Sequence, residues 1–368
     1  MTTTTERAAA APAEASAGRL DRLKAVGVAA ALGAGLVSAV QSHVNGSFTA
    51  YLNAGVGGPA PRNGVVVATI AFTSAALLLA LVVAFTPRAR KGMARVVASL
   101  RAGRKNAPDA IRAIHPGVAG IGRLRWFQVI GGAAGGLFVT AQSITVSSIG
   151  VAMFVVATTA GQSVSSLFCD RFGFAPGGRR AITIGRAIGP LLAVCAVVVA
   201  RWGTFGNTSQ LYLLVLPVAA GICVAAQHAV NGRVETTAAH APFGPRVDRI
   251  PGALSATFVN FLVGTVALVV AAAVALAIQG LPTADFPGEW WMYTGGMLGV
   301  IFIGTAAAVV HRIGALLLAL SLIAGQITGG LIIDALRGQD PAVNALVAVA
   351  LTFCAIAVPA LTSAPKKR

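Results

Sequence analysis

Acidic residues are scarce: the 368-residue chain has 11 Asp and Glu against 28 Lys and Arg, a formal charge of +17. Charged residues make up only 11% of it, aromatics 6%, and there are four cysteines. Each shortage excludes something. So little charge cannot cover a soluble globule, which normally has about a quarter of its residues charged. The cysteines (Cys169, Cys195, Cys223, Cys354) each lie in or at the end of an apolar run, and none has a CxxC partner. They support neither a disulfide framework nor a metal site, and helix packing is their expected role. The histidines (His43, His115, His228, His240, His311) are scattered. That spacing does not build the acid–base pair or metal cluster of an intramembrane lipid- or prenyl-modifying enzyme. Nothing resembles a nucleotide-binding P-loop. No enzyme activity, cofactor or metal is expected.

What the chain does have is apolar length. It is 56% hydrophobic, with a mean hydropathy of +0.79. A hydrocarbon core of about 30 Å takes roughly 20 apolar residues per helical crossing. Ten such runs occur, at 25–45, 64–86, 126–146, 150–170, 181–201, 210–230, 252–278, 290–310, 314–336 and 343–362. Membrane β-strands would be shorter and would alternate in polarity. The expectation is an all-α polytopic membrane protein with ten transmembrane helices.

Topology accounts for the basic charge better than nucleic acid does. With the N-terminus inside, all but three Lys and Arg fall on cytoplasmic segments or just inside a helix end. The exceptions are Arg62, Arg201 and Arg337, and the acids Asp285, Glu289 and Asp340 share their side. This is the positive-inside pattern, so the inner (cytoplasmic) membrane is the expected location, with both termini cytoplasmic and no nucleic-acid partner. Residues 1–24 are expected to be a disordered cytoplasmic tail. Val26–Val40 has the length of a signal-peptide core, but its second copy in mid-chain argues for a retained helix. The loop 87–125 holds ten Lys or Arg and one acid, Asp109. A solvated inner loop is expected there, with a basic surface helix as the alternative.

The chain repeats itself. Gln41 and Asn45 close the first apolar run, which is expected to end near Asn45, and Gln227 and Asn231 close the sixth. The i, i+4 spacing puts each amide pair on one helix face. Ala68-Thr69 and Phe72 correspond to Ala256-Thr257, Asn260 and Phe261. At an offset of 164, Gly131-Gly132 and Gly135 recur as Gly295-Gly296 and Gly299. Ala160-Gly161-Gln162 likewise recurs as Ala324-Gly325-Gln326, and Asp170 as Asp334. Glycines four apart let helices approach closely in lipid. An odd number of helices per unit means that the second copy enters the membrane from the opposite side. The expected organisation is therefore two inverted five-helix repeats, residues 25–201 and 210–362, joined by an outer linker at 202–209 and followed by a basic cytoplasmic tail at 363–368. In many secondary transporters such repeats enclose a substrate path near the midplane.

The Gln-x-x-x-Asn ending of the first helix, Ser/Thr-Phe in the second and Gly-Ala…Ala-Gly-Gln…Asp in the fourth resemble the YdcZ-like branch of the drug/metabolite transporter superfamily, which is related to the EamA family. Ser255–Thr265, Trp290-Trp291 and Arg312–Ala315 carry the closer match of the second half. The first half departs from the pattern at Ser147-Ser148 and in the inserted loop. The resemblance implies an inner-membrane carrier, expected to export small metabolites, without naming a substrate.

Amides are costly in hydrocarbon unless hydrogen-bonded. Gln41, Asn45, Gln162, Gln227, Asn231, Asn260 and Gln326 are therefore candidates for contact with a polar solute, against the plainer role of tying helices together. Ser166 extends a polar stripe from Gln162 to Asp170. Asp170 and Asp334 sit at helix C-termini, where the macrodipole disfavours an anion. A structural end-anchor is expected of them, with proton coupling as the alternative. His43 and His228, at non-equivalent positions, are weaker candidates for carrying a proton, and Trp290 and Trp291 belong to an interfacial belt. No crossing has a clearly central charge, which favours a neutral or zwitterionic solute. The expected partners are that solute and the lipid bilayer, with a homodimer left open. A non-transporting assembly factor is the remaining alternative.

Overall fold

The computed structural model describes residues 3–54, 60–101, 124–172, 182, 184–200, 212–239, 249–338 and 343–362. Among them the regular structure is entirely helical: α1 (Thr3–Asn53), α2 (Pro61–Phe85), α3 (Pro87–Arg101), α4 (Gly131–Ile149), α5 (Val151–Phe172), α6 (Ile184–Ala200), α7 (Tyr212–Ala239), α8 (Arg249–Gln279), α9 (Gly295–Leu336) and α10 (Val343–Thr362). Short 3-10 turns at Trp126–Gln128 and Trp290–Thr294 lead into α4 and α9. Among the described residues, six helices are long and apolar enough to cross a membrane, by length and composition. Their outward faces are apolar, as lipid requires: Leu77, Leu81 and Phe85 on α2 and Val266, Val270 and Ile278 on α8 are exposed.

Several boundaries differ from those the hydropathy predicts. α1 begins at Thr3, within the segment expected to be disordered; its Ala-rich sequence has high intrinsic helix propensity. It also continues past Asn45 to Asn53, because Phe48 and Leu52 are buried against Met292 and Tyr293. Asn63 then caps its end, donating to the Leu52 carbonyl at 3.1 Å. The start of the basic loop is a helix, α3, rather than solvated coil. Its Ala89, Gly92 and Val96 face is buried, while Arg88, Arg90 and Lys91 are exposed. That face packs on α7 and α8, with Val96 beside Val234, Ala238 and Val259, and Arg95 donates to the Ala238 carbonyl at 2.8 Å. Residues 102–123, the rest of the expected loop, lie outside the described residues, as do the linker and the C-terminal tail.

Two predicted crossings, 290–310 and 314–336, share one continuous helical element, α9. A straight helix would put Gly299 and Gly329 roughly 45 Å apart. Yet a β-carbon on Gly299 would stand 2.8 Å from Gln41 Nε2, and one on Gly329 2.8 Å from Ala39 Cβ. Both glycines thus meet the same stretch of α1, so α9 doubles back between them.

At the centre, α2 and α8 lie antiparallel. Arg62 donates to the Gln279 carbonyl, Thr69 Oγ1 to the Leu268 carbonyl at 3.2 Å, and Phe72 stacks obliquely on Phe261 at 4.9 Å. Further on, Ser255 Oγ donates to the Ala89 carbonyl at 3.2 Å. From Arg62 of α2 to Ala89 at the start of α3, the partners on α8 fall from Gln279 to Ser255.

Candidate functional site

The glycines that recur in the sequence sit at helix crossings that also recur. A β-carbon on Gly35 would fall 2.2 Å from the Leu322 carbonyl oxygen, and one on Gly325 2.2 Å from that of Leu32. Between α5 and α7, the corresponding Gly161 and Gly221 would place theirs 2.0 Å from the Val218 oxygen and 2.1 Å from the Thr158 oxygen. α1 of the first half thus pairs with α9 of the second, and α7 of the second half pairs with α5 of the first in the same way. Only a hydrogen fits in these seams, and the backbones touch.

The amide pairs stand at a second set of duplicated crossings. Gly135 of α4 abuts Gln227 Nε2 at 2.6 Å and Phe72 Cζ at 3.3 Å, measured from an added β-carbon. Gly299 of α9 abuts Gln41 Nε2 at 2.8 Å and Phe261 Cζ at 3.3 Å on the same measure. Gly131 meets Asn231 Oδ1, and Gly295 meets Asn45 Oδ1. Gly132 meets the Asn260 carbonyl, and Gly296 the Ala71 carbonyl. Phe72 therefore corresponds to Phe261 and Ala71 to Asn260. This is one residue out of step with the match suggested by the shared Ala-Thr dipeptide.

That substitution makes the two sites chemically different. Asn260 Oδ1 accepts from Gln227 Nε2 at 2.7 Å and from Asn231 Nδ2 at 3.0 Å, a triad that joins α7 to α8 and leaves Asn260 Nδ2 unpartnered. With Ala71 in the corresponding place, no such side-chain acceptor stands beside Gln41 and Asn45 among the described residues, and Asn45 Nδ2 is buried without a partner there. Gln41, Asn45, Gln227 and Asn260 are all buried, and Asn231 is half-buried. The structure thus groups the candidates into two clusters on either side of the Phe72–Phe261 contact.

The remaining candidates stand apart from these clusters. Gln326 ties α9 to α1 by donating to Ser38 Oγ at 2.9 Å. Gln162 is half-buried at the α5–α7 seam, its backbone nitrogen 3.0 Å from a β-carbon added to Gly221. Ser166 is exposed and bonds locally to the Ser163 carbonyl; the buried neighbour Ser165 makes the interhelix bond instead, to the Ile222 carbonyl at 2.8 Å. His43 stacks on Trp291 at 6.4 Å, while His228 and Trp290 are exposed. Among the described residues no group of three His, Cys, Asp or Glu is placed to hold a metal.

The family described as "Putative inner membrane exporter, YdcZ" matches residues 110–199 and 212–358. The chain belongs to the YdcZ family. It is a multi-pass inner-membrane protein of the drug/metabolite transporter superfamily. No curated protein matches the chain. The two matched stretches take in Gly131–Gly135 and Gly295–Gly299, whereas α1 and α2, with Gln41, Asn45 and Phe72, precede the first of them.

Asp334 has a partner that neither the family pattern nor the sequence reveals. It is buried, and its two oxygens accept from the backbone N–H groups of Val151 and Ala152, each at 3.0 Å. The carboxylate at the end of α9 thus caps the start of α5, where the positive end of a helix dipole favours it. Gly150, at φ +78°, makes the turn that presents those N–H groups, and an added β-carbon there would stand 2.8 Å from Asp334 Oδ2. The partner of this end-anchor is a helix N-terminus. The side chain of Asp170 lies outside the described residues. Sequence reasoning also missed Gln142, which is fully buried on α4 with both amide atoms unpartnered. A lone amide within an apolar run was the available signal, but the corresponding position in the second half is Ala306, so no repeat drew attention to it.

Proposed function

We propose that the chain is a secondary-active exporter of a small metabolite or drug-like solute. It would work by alternating access between two inverted five-helix repeats, with ten crossings and both termini in the cytoplasm. The observation that carries this reading is the doubled set of crossings. Gly35–Gly325 and Gly221–Gly161 are one contact made twice, as are Gly299–Gln41 and Gly135–Gln227. The antiparallel course of α2 against α8, with Phe72 meeting its counterpart Phe261, fits a pseudo-two-fold axis lying in the membrane plane. The reversal within α9 supplies the two crossings that bring the count to ten. Such a frame has two near-equivalent closures, which is what alternating access needs. Most of the basic residues lie on segments that this topology puts inside, in keeping with the charge rule.

The test is solute movement. Purified protein in proteoliposomes, challenged with a panel of labelled metabolites under an imposed proton or sodium gradient, should move at least one of them. Protein-free vesicles should not. If correctly folded protein moves nothing, the carrier reading gives way to that of a membrane assembly partner.

A further inference from the structure

Gln142 is an amide that the fold buries completely and then leaves unbonded, with neither Nε2 nor Oε1 having a partner. Its position on α4 is set from both sides. Gly131 and Gly135 meet Asn231 and Gln227, and Val146 meets Gly46 of α1. At 100° per residue, positions 131, 135, 142 and 146 fall within about 60° of one another. Gln142 thus points along the face that joins the inner amide triad to α1. Gly64 and Phe72 of α2 meet Ile144 and Gly135 of α4, which places Gln142 between those levels, in the interior of the bundle. On α1, one residue from Gly46, Asn45 is 1% exposed and also has an unpartnered Nδ2.

We propose that Gln142, with Asn45 on the neighbouring helix, forms the solute-binding site of this carrier. Its ligand would be a neutral molecule presenting a hydrogen-bond donor and acceptor side by side, as a carboxamide, urea or lactam does. This rests on the carrier reading above and adds to it a residue and a substrate class. A buried amide without a partner bears its full desolvation penalty, and a ligand that offers a complementary edge removes that penalty. The amides that tie helices already have bonds: Gln227 and Asn231 donate to Asn260 Oδ1, and Gln326 to Ser38, so that in Asn260 only Nδ2 is left unpartnered, whereas in Gln142 both amide atoms are. Neutrality follows from the charges. The two charged side chains buried among the described residues are Arg62 and Asp334. Arg62 is engaged with carbonyls at the end of α8, and Asp334 with the N–H groups of α5. Ala306 in place of a second glutamine makes the site one-sided, on the α1–α4 half of the pseudo-two-fold frame.

The experiment is thermal unfolding of the purified, full-length protein with four probes: nicotinamide and uracil as neutral amides, choline and succinate as charged controls. Saturating nicotinamide or uracil is expected to raise the wild-type Tm by about 2 °C or more, and the charged probes are not. Gln142→Leu and Gln142→Met should abolish that shift. Without probe, both variants should unfold at or above the wild-type temperature, since each removes an unpaired amide. The proposal is overturned if no neutral amide shifts the wild type, if the charged probes shift it equally, or if the shift survives in both variants. Destabilisation of both variants without probe overturns it as well, because it would show that Gln142 holds the fold together. Binding without flux of the bound probe in proteoliposomes would leave the site standing and remove the carrier reading. Flux of some other solute, with no amide shift, would do the reverse.

Discussion

Gln41 and Gln227 take corresponding places in the chain and meet different neighbours. Gln227 shares Asn260 Oδ1 with Asn231, whereas the position matching Asn260 near Gln41 is Ala71. Interhelix amide bonds contribute about 0.6–2 kcal/mol each. Gln227→Leu is therefore expected to lower stability by about 1–2 kcal/mol, while Gln41→Leu leaves it nearly unchanged. Parallel thermal-unfolding curves check this, and equal losses would mean that Gln41 has a structural bond of its own. Asp334 presents a larger case. Asp334→Ala would leave the buried N–H groups of Val151 and Ala152 unpaired, at a cost of about 1–3 kcal/mol. Asp334→Asn should restore part of this through its single acceptor oxygen. An unfolding midpoint for Asp334→Ala that matches wild type would refute the cap.

At the level of helices, the seams are tighter than any side chain allows. Gly161 of α5 and Gly325 of α9 have backbone carbonyl oxygens where a β-carbon would go. Any larger residue must push the helices apart, and overpacking of this kind costs about 1–3 kcal/mol. Gly161→Val and Gly325→Val are expected to cost similar amounts, because the seams are copies of each other. Gly33, which has open space around its α-carbon, is the control and should tolerate Ala. Expression level and Tm of the three variants measure this. α3 is held by its apolar face and by Arg95, so Arg95→Ala should loosen it by about 0.5–1.5 kcal/mol. Faster amide exchange across Val96–Leu100 would be the sign of that loosening.

For the whole molecule, the central fact is that α2 and α8 run in opposite directions through one contact, Phe72 on Phe261. If the proposed topology holds, the linker at 202–209 faces outward. A cysteine at Gly206, in a background with Cys169, Cys195, Cys223 and Cys354 replaced, should react with a membrane-impermeant thiol reagent in intact cells. Protection in intact cells, with reaction only after the membrane is opened from the cytoplasmic side, would reverse the assigned orientation.

Apolar run length and glycine spacing by themselves determined that this is a helical membrane protein and which positions recur; the family came from the resemblance of the motif residues and the match of the family's pattern. The first two follow from local rules: a crossing has a minimum length, and a close-packed seam has no room for a side chain. Register and partnership were decided only by the tertiary structure. The shared Ala-Thr dipeptide suggested one alignment of α2 with α8, and the contacts of Gly132 and Gly296 showed it to be one residue off. The C-terminal end of α1, the helical start of the basic loop and the reversal in α9 also depended on what each segment packs against. Whether an amide is bonded is likewise a property of its neighbours across the bundle. Gln227 and Gln142 look alike in the chain, yet Asn260 from a distant helix satisfies the first and nothing among the described residues satisfies the second.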